Sequence, residues 1–495
     1  MSHSDSLSSG ATRASGVPGP RPRVRERVRA AAACVGAALA LGACSGPSLD
    51  PGVPRHVVVI SIDTARADHF GFLGSEQVRT RGLDAFAGEA IVFTDYMSVA
   101  PTTLASHTTL FTGKYAHHHG TPRNGFTINA ANEMLTETLQ DAGFHTAGFA
   151  GSFALDERFG FAQGFDHYDQ DFDIYVGDSG ADQNQRLAEQ VTDAAIAYLD
   201  ETGVADRLFL FAHYFDPHAP YAAPPPFDTL YDPQGTDGLH PAKAIKRYQG
   251  FSPGQKERSI QRLAMQYASE VSYTDHHATR LLDDLARRGV LDQALVVVTT
   301  DHGECLWEHG EEFNHGRTVY QATMHAVCAM RLPGGELGGT RVDELVASVD
   351  VLPTILDLLG LEVPAGVDGE SVPLRSVGEG IAPRVRFGEA TKPRSQAETD
   401  PRWTNIRKAR CIRDGRHKYV ATPYLGTEEL YNVLADPRET ENLLEAPTEE
   451  MLRLAADMCV RLEAWTDSAQ PLPSTFDSSE TEESIRRLRS LGYLQ

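Results

Sequence analysis

Three strongly apolar runs of the chain each end on a residue type that binds metal ions. They cover residues 56–63, 208–216 and 294–301, and they end on Asp63, on Asp216 and on the pair Asp301-His302. Each run is short and rich in Val, Ile, Leu or Phe, which is typical of a strand buried on both faces of a parallel sheet. The carboxyl ends of parallel strands meet at one edge, so these polar side chains are expected to lie close together there.

Segments with helical periodicity alternate with strand patterns between residues 55 and 374. The predicted helices cover 83–90, 104–112, 133–143, 183–202, 259–288 and 342–359, and further strands cover 91–93 and 144–149. Such alternation is typical of a parallel or mixed sheet with helices on its faces. The predicted fold class of residues 55–374 is therefore α/β, with a central mixed, mostly parallel sheet flanked by helices.

From residue 375 onward the pattern changes to short apolar stretches separated by turn-forming residues. Strands are predicted over 409–414 and 417–421, and a helix over 448–467, which indicates a smaller C-terminal α+β subdomain at 375–495. Earlier in the chain, the stretch 222–258 is rich in Pro, Gly and Lys and has no periodicity. We expect it to form a loop that controls access to the edge of the large sheet.

The first 54 residues have the pattern of an export signal. An Arg-rich stretch at 21–29 precedes an apolar run at 30–41, which is too short to span a bilayer. The run leads into Gly42-Ala43-Cys44, which resembles a bacterial lipoprotein cleavage site. Residues 1–43 are therefore predicted to be a lipoprotein-type signal peptide and 44–54 a tether, so we expect an exported protein, lipid-anchored in the bacterial cell envelope on the periplasmic side. An ordinary signal peptide, or a tail with a chance cysteine, would also fit.

Charge and cysteine content limit the partners of the chain. Its formal net charge is −23. Because the N-terminal leader is rich in Arg, the chain without this leader has an even more negative net charge. Because binding to nucleic-acid phosphates needs clustered Lys and Arg, no nucleic-acid partner is expected. An acidic protein also repels anionic ligands unless a metal ion or local donors compensate. The cysteines show no CxxC spacing, which argues against a cysteine zinc site.

The residues at the predicted sheet edge indicate a metal-activated nucleophile. Asp63, Asp301 and His302 are residue types that bind divalent metal ions. Thr103 stands at the start of a predicted helix, where the partial positive charge favours an alkoxide or a phosphoryl group. A metal ion beside the Thr103 hydroxyl would activate it for attack. A simpler interpretation also exists, because Thr and Asp are both good helix N-caps.

Further histidines are placed to face the same edge. His107 falls one helical turn after Thr103 and would bind substrate there. Asp216 and His218 lie in a proline-rich turn, and the prolines fix the direction in which His218 points. His315 follows in a Gly-containing loop. The plainer alternatives to these site roles are that Asp216 caps a turn and that His315 is exposed on a surface loop.

Several motifs resemble the sulfatase branch of the alkaline phosphatase superfamily, from about residue 55 to the C-terminus. The matching segments are 60–69, 110–115 with 119–120, 216–221, 300–304, 350–354, 429–431 with 436–439, and 491–493. Their number and order identify the chain as a member of that family. The resemblance implies a large alkaline phosphatase-like α/β domain with a mixed sheet and a smaller C-terminal sheet domain.

The chain departs from the sulfatase pattern at the most reactive positions. Sulfatases carry a Cys or Ser that is oxidised to formylglycine, with an Arg four residues later, and Thr103 and His107 hold those two places here. Thr is a secondary alcohol, so its oxidation would give a ketone and not the required aldehyde. The Lys and His of a Gly-Lys-Trp-His segment are missing from 150–153, Asp301-His302 replaces an Asp-Asn pair, and His315 replaces a later Lys.

Together these departures resemble the phosphoryl-transfer members of the superfamily, which include phosphodiesterases and phosphonate hydrolases. The resemblance implies that Asp63, Asp301, His302 and Thr103 surround one divalent metal ion, and that Thr103 attacks phosphorus. Zinc or manganese is favoured, because imidazole suits these ions better than calcium, which stays possible.

The resemblance also implies roles for residues around the nucleophile. Asn124 stands where those members place an Asn that holds a non-bridging oxygen, although it is also suited to a turn beside Gly125. His218 and His315 would hold substrate oxygens or protonate the leaving group. A second metal ion held by Asp216, His218 and His315 is a further alternative.

Two other functions stay open at this point. One is hydrolysis of sulfate esters by a true sulfatase, and the other is an inactive lipid-anchored binding module. The expected substrate is a small-molecule, glycan or lipid ester, and an acceptor alcohol in place of water would make the protein a phosphotransferase. The sequence does not identify the substrate further.

Overall fold

The structure, a computed structural model, describes residues 52–172, 185–235, 250–391 and 408–475, together with Arg487. The predicted signal peptide at 1–43 and all but the last three residues of the predicted tether lie outside these ranges. Among the described helices, none combines the length and the apolar character that crossing a membrane requires.

One large mixed sheet forms the centre of the described chain. Its strands are β1 (His56–Ile62), β2 (Ile91–Met97), β3 (His145–Phe149), β4 (His167–Asp169), β5 (Leu208–Tyr214), β6 (Ala294–Thr300), β7 (His325–Arg331), β8 (Arg341–Val342) and β9 (Val346–Ala347). Their order is β4-β3-β5-β1-β6-β7-β2-β8, and β9 also pairs with β2. The first five strands in this spatial order, β4, β3, β5, β1 and β6, are parallel. Strand β7 is antiparallel to both of its neighbours, β6 and β2. This sheet confirms the predicted fold class.

Helices cover both faces of this sheet. In the described ranges they are α1 (Arg81–Gly88), α2 (Thr103–Thr112), α3 (Ala116–His119), α4 (Leu135–Asp141), α5 (Ala188–Thr202), α6 (Pro253–Arg287), α7 (Gln321–Met324), α8 (Val351–Leu358) and α9 (Glu449–Asp467). Val57 and Val59 of β1 pack in one hydrophobic core with α2, while Val58 and Ile60 pack in a second core with α6. Because both faces of β1 are covered, its sequence is continuously apolar and not alternating.

A second, antiparallel sheet lies C-terminal to the first. It consists of β10 (Arg386–Glu389), β11 (Arg410–Arg413), β12 (His417–Thr422) and β13 (Thr427–Asn432), paired in that order. Ile412 and Leu430 pack with α9 on one side. Cys411 packs on the other side against Met97 and Met324, which belong to the large sheet and to α7. The C-terminal part of the chain is therefore an α+β layer that rests on one edge of the large sheet.

Two predicted helices differ from the observed ones. The N-terminal half of the predicted helix 342–359 is wrong, because 341–342 and 346–347 pair with β2 as short strands and α8 begins only at Val351. The prediction for 259–288 starts too late, since α6 begins at Pro253. Proline is favoured in the first turn of a helix, and Ser252 with Gln255 forms a capping box there, so the polar first turns of α6 were mistaken for loop.

A buried ion pair links the two sheets and allows a stability test. Arg413 Nη1 and Nη2 donate to the two carboxylate oxygens of Asp95 at 2.5 and 2.6 Å. We expect Arg413→Met to lower the free energy of unfolding by about 3–5 kcal/mol in urea titrations, because the Asp95 carboxylate would stay buried without its cation. The control is Arg461→Met, which breaks an exposed pair with Asp457 on α9 and should cost less than about 1 kcal/mol. Equal effects of the two substitutions would contradict this expectation.

Candidate active site

Two adjacent strands bring a carboxylate each to the same edge of the large sheet. In the parallel pairing of β1 and β6, Ile62 lies opposite Thr300, and Asp63 and Asp301 follow directly. One ligand atom each of Asp63, Asp301 and His302 lies within 4.8 Å of those of the other two. All three side chains are buried. The structure therefore brings together the three side chains that the sequence predicted as metal ligands.

Thr103 is the first residue of α2, and its hydroxyl is directed at this carboxylate cluster. Thr103 Oγ1 donates a hydrogen bond to Asp63 Oδ2 at 3.0 Å, deep in the protein. The preceding residue, Thr102, occupies the N-cap position, and its side chain makes no capping bond. The Thr103 side chain therefore does not act as a helix cap, which was the simpler interpretation of this residue.

Asn124 supplies the capping interaction that Thr102 does not make. Its Oδ1 accepts a hydrogen bond from the backbone N–H of Leu104 at 2.7 Å, so Asn124 is fixed beside Thr103. Its Nδ2 is buried and makes no hydrogen bond with any described residue. An amide donor in this position is suited to an oxygen of a substrate bound at Thr103.

His107 lies beneath Thr103, and the structure does not support the substrate contact predicted for it. Its Nδ1–H donates to the Thr103 carbonyl at 2.7 Å, and its Nε2 accepts from Ser61 Oγ at 2.9 Å. Burial holds the pKa of His107 well below its usual range, and His213 lowers it further. Because both ring nitrogens are used inside the protein, His107 tethers the first turn of α2 to β1 instead of reaching a substrate.

His213 on β5 belongs to the site and was missed from the sequence. Its Nε2 lies 3.4 Å from Asp63 Oδ2, and its Nδ1 accepts from the backbone N–H of Gly151 at 3.3 Å. Burial, with a smaller effect of Arg186, lowers the pKa of His213 to about 3, so the ring is neutral. Since Nδ1 accepts, the proton sits on Nε2 and faces the carboxylate. A lone histidine within the apolar run 208–214 was the available signal.

Three imidazoles form one side of the site. The ring centroids of His302 and His315 lie 4.7 Å apart, and those of His218 and His315 lie 5.2 Å apart. The structure thus places His218 and His315, the predicted catalytic histidines, next to a predicted metal ligand.

Hydrogen bonds at Nδ1 set the orientation of these rings. The Nδ1 atoms of His218 and His302 bond to the backbone carbonyls of Ala219 and Gly303 at 2.8 and 3.0 Å. A carbonyl can only accept, so Nδ1 carries the proton and a neutral ring has its lone pair on Nε2. His315 Nδ1 lies 3.3 Å from Glu304 Oε1. Glu304 was also missed, because a buried carboxylate two residues after His302 gives no periodic signal.

Asp216 does not join His218 and His315 in a second metal site. Its Oδ2 accepts from the Ala188 backbone N–H at the start of α5 at 2.6 Å, and its carboxyl hydrogen-bonds Glu270 of α6. Burial raises the pKa of Asp216 to about 6. Within the described ranges, Asp63, Asp301 and His302 form the one three-residue cluster with metal-ligand spacing. The alternative of a second ion at Asp216 is therefore not supported.

The predicted metal ligands fit a divalent ion on structural grounds. Burial raises the pKa of Asp301 well above its usual range, and the Asp63 carboxylate raises it further. Asp301 Oδ1 accepts from the N–H groups of Thr64 and His302, while Oδ2 is buried and has no hydrogen bond to a described residue. Two carboxylates and an imidazole packed without a cation are costly, and a transition-metal ion would compensate their charge.

Comparisons with known proteins agree with the motifs in the chain. Residues 55–361 match the family model described as Sulfatase, and residues 308–467 match one described as N-sulphoglucosamine sulphohydrolase, C-terminal. An ulvan-active sulfatase of Formosa agariphila is 25% identical, with 82% of this chain and 80% of that protein covered. An N-acetylglucosamine-6-O-sulfatase of Bacteroides thetaiotaomicron is 22% identical, with 82% and 86% covered.

A solved structure from a different reaction class is also similar. The phosphonate monoester hydrolase of Silicibacter pomeroyi superposes with a TM-score of 0.65 and 25% sequence identity. The alignment covers 83% of this chain and 95% of that one. The relatives therefore include enzymes named for sulfate esters and an enzyme named for phosphonate esters.

Proposed function

The chain belongs to the sulfatase family of the alkaline phosphatase superfamily and is an ester hydrolase, and we propose that it cleaves phosphate or phosphonate esters with Thr103 as the nucleophile. The observation that carries this proposal is the hydrogen bond from Thr103 Oγ1 to Asp63 Oδ2, at the start of a buried helix. A Thr at this position cannot become formylglycine, so the side chain has to act as an alcohol. The similarity to a phosphonate monoester hydrolase supports the same reaction class.

Sulfate-ester hydrolysis is the second candidate function, and the comparisons support it equally. The curated relatives described above are named as sulfatases of an algal polysaccharide and of an amino sugar. What favours phosphoryl transfer is the site itself, because Thr103, His302 and His315 replace the residues of a formylglycine enzyme.

Asp63, Asp301 and His302, with the Thr103 hydroxyl, would hold one divalent metal ion. When bound, such an ion would lower the pKa of the hydroxyl and stabilise negative charge that develops on the reacting group. Zinc or manganese fits the imidazole ligand better than calcium does. His213 supports this arrangement, because its Nε2–H faces the Asp63 carboxylate at 3.4 Å.

In the proposed mechanism, side chains of the protein carry out the attack on phosphorus and the proton transfers. Thr103 Oγ attacks phosphorus, its proton leaves toward Asp63, and the bond from phosphorus to the leaving oxygen breaks. Asn124 Nδ2, which is buried and makes no hydrogen bond with a described residue, would donate to a phosphoryl oxygen, and the partial positive charge at the start of α2 would favour that group. The doubly protonated form of His218 or His315 gives a proton to the leaving oxygen, and Glu304 keeps His315 oriented for that transfer. Water then attacks phosphorus, the same histidine accepts a proton of that water, and the bond from phosphorus to Thr103 Oγ breaks as Asp63 returns its proton to that oxygen.

We extend the proposal to the location and the substrates of the enzyme. The lipoprotein-type pattern at 1–44 supports an exported enzyme, held by a lipid anchor at the periplasmic side of the bacterial envelope. At that location, small-molecule, glycan or lipid esters would be within reach of the site. Labelling of cells with a palmitate analogue, with Cys44→Ser as the control, would test the anchor.

A panel of esters that all release the same leaving group, 4-nitrophenol, tests the reaction class. We expect kcat/KM for bis(4-nitrophenyl) phosphate or 4-nitrophenyl phenylphosphonate to exceed that for 4-nitrophenyl sulfate by at least about a hundredfold. The common leaving group means that differences report recognition of the transferred group. Faster turnover of the sulfate ester would show that the protein is a sulfatase and that the proposed reaction class is wrong.

A further inference from the structure

A group of buried charged side chains lies where the second sheet meets the segment that carries Asn124. It consists of Arg123, Glu389, Lys408 and Arg410, each less than a tenth exposed. Lys408 Nζ donates to Glu389 Oε2 at 3.0 Å. Arg410 Nε lies 4.0 Å from that same oxygen, which is beyond hydrogen-bond distance. The Glu389 oxygen nearest to Arg410 is therefore already bonded to another cation.

The charge of Arg410 is poorly compensated within this group. Its Nη2 is buried and makes no hydrogen bond with any described residue, and Glu389 Oε1 makes none either. Burial lowers the pKa of Arg410, and Glu389 only partly opposes this. The pKa of Lys408 is lowered by burial, and the charges of Arg410 and Arg123 add to that effect. Lys408 therefore lies close enough to Arg410 and to Arg123 for their charges to repel its own.

Other buried cations of the same sheet make closer ion pairs than Arg410 does. Each of them lies within hydrogen-bond distance of a carboxylate: Arg386 with Asp350, Arg413 with Asp95, and Lys418 with Glu439. A guanidinium that only stabilises the fold is expected to be paired in this way, because an uncompensated buried charge is costly. The difference between Arg410 and these cations suggests that its partner comes from a ligand.

The position of the group connects it to the active site. The Glu389 backbone N–H donates to the carbonyl of Val99, four residues before Thr103. Arg123 precedes Asn124, whose side chain caps the helix that begins at Thr103. Thr391 N–H donates to the carbonyl of Gly316, the residue after His315. The group is thus built on the segments that flank the nucleophile and the predicted acid.

We infer that Arg410, with Lys408 and Arg123 beside it, binds a second anionic group of the substrate, a carboxylate, sulfate or phosphate on the alcohol part of the ester. This inference rests on the proposed function, because it takes Thr103 as the point of attack. It also explains how an enzyme with a net charge of −23 could select substrates that carry more than one negative charge. A planar guanidinium suits such groups, since it can donate two parallel hydrogen bonds.

Calorimetry with analogues that cannot be hydrolysed tests this subsite without relying on turnover. The probes are phenylphosphonate and derivatives that carry a carboxylate or a sulfonate on the ring, attached directly or through one or two methylene groups. With the metal-loaded full-length protein, we expect at least one anionic derivative to bind about tenfold or more tightly than phenylphosphonate. Which derivative binds best would show whether the site prefers a carboxylate or a sulfonate.

Substitution of Arg410 then locates the effect. Arg410→Gln is expected to remove most of the preference for the anionic derivative, while Arg416→Gln, at an exposed position in the turn between β11 and β12, should keep it. If every anionic derivative bound no better than phenylphosphonate to the unaltered protein, the inference would be overturned, whether or not Arg410→Gln folds. Failure of the proposed function would look different, since Thr103→Ala would then retain turnover while the binding preference persisted.

Discussion

Replacement of Thr103 by Ala is expected to lower kcat/KM for phosphate and phosphonate esters by roughly ten-thousandfold or more. In the proposed mechanism the Thr103 hydroxyl oxygen forms the covalent bond to phosphorus, and its hydrogen bond to Asp63 Oδ2 directs it into the site. Thr103→Ser should keep a substantial part of the activity, because a primary alcohol can make the same bond. Acid quenching of the reaction, followed by mass spectrometry, should detect a phosphorylated Thr103 peptide.

The neighbouring residue provides a matched control for this experiment. Thr102 is also buried, and its hydroxyl makes no hydrogen bond with any described residue. Thr102→Ala therefore removes the same group one position earlier, and its kcat/KM should stay within about threefold of the unaltered protein. Ester hydrolysis that survives Thr103→Ala would rule out Thr103 as the nucleophile. Similar losses for both variants would point to damage of the first turn of α2 instead.

The parts of the fold set by local sequence could be predicted well. The run at 56–62 is apolar without interruption, and a strand buried on both faces requires that pattern, so its place at the centre of a parallel sheet follows. The positions of Asp63 and Asp301 then follow from the shared edge of parallel strands. The metal-type cluster could be expected for the same reason, since both residues come directly after strands.

Tertiary contacts decided the features that the sequence did not reveal. Asp216 ends an apolar strand in the same way as Asp63, yet the start of α5 takes its carboxylate. His107 is one turn from Thr103, but the helix turns it inward to Ser61. His213 reaches Asp63 only because β5 lies beside β1. Strand order and side-chain direction depend on the whole fold, so sequence spacing alone could not separate these cases.

Removal of the proposed metal ion is the second change for which we expect a large effect. Ligand atoms of the two buried carboxylates and of the His302 imidazole lie within 4.8 Å of one another, so the proposed cation would offset their charge and activate Thr103. We expect treatment with a chelator to lower kcat by roughly a thousandfold or more, and zinc or manganese to restore it better than calcium does. Elemental analysis should find one ion per chain in the active protein.

Two substitutions decide which residues hold that ion. Asp301→Asn should leave the protein folded but reduce its metal content to a small fraction of one ion, because it removes half of the anionic charge at the site. Asp216→Asn is the matched control, since this carboxyl bonds to Ala188 and Glu270 and lies outside the cluster. It should keep one ion per chain. Two ions in the unaltered protein and one in the Asp216 variant would show that a second site exists after all.

Full activity in protein shown to be free of metal would contradict metal activation of Thr103, because a buried threonine hydroxyl beside Asp63 would then have to react without a cation.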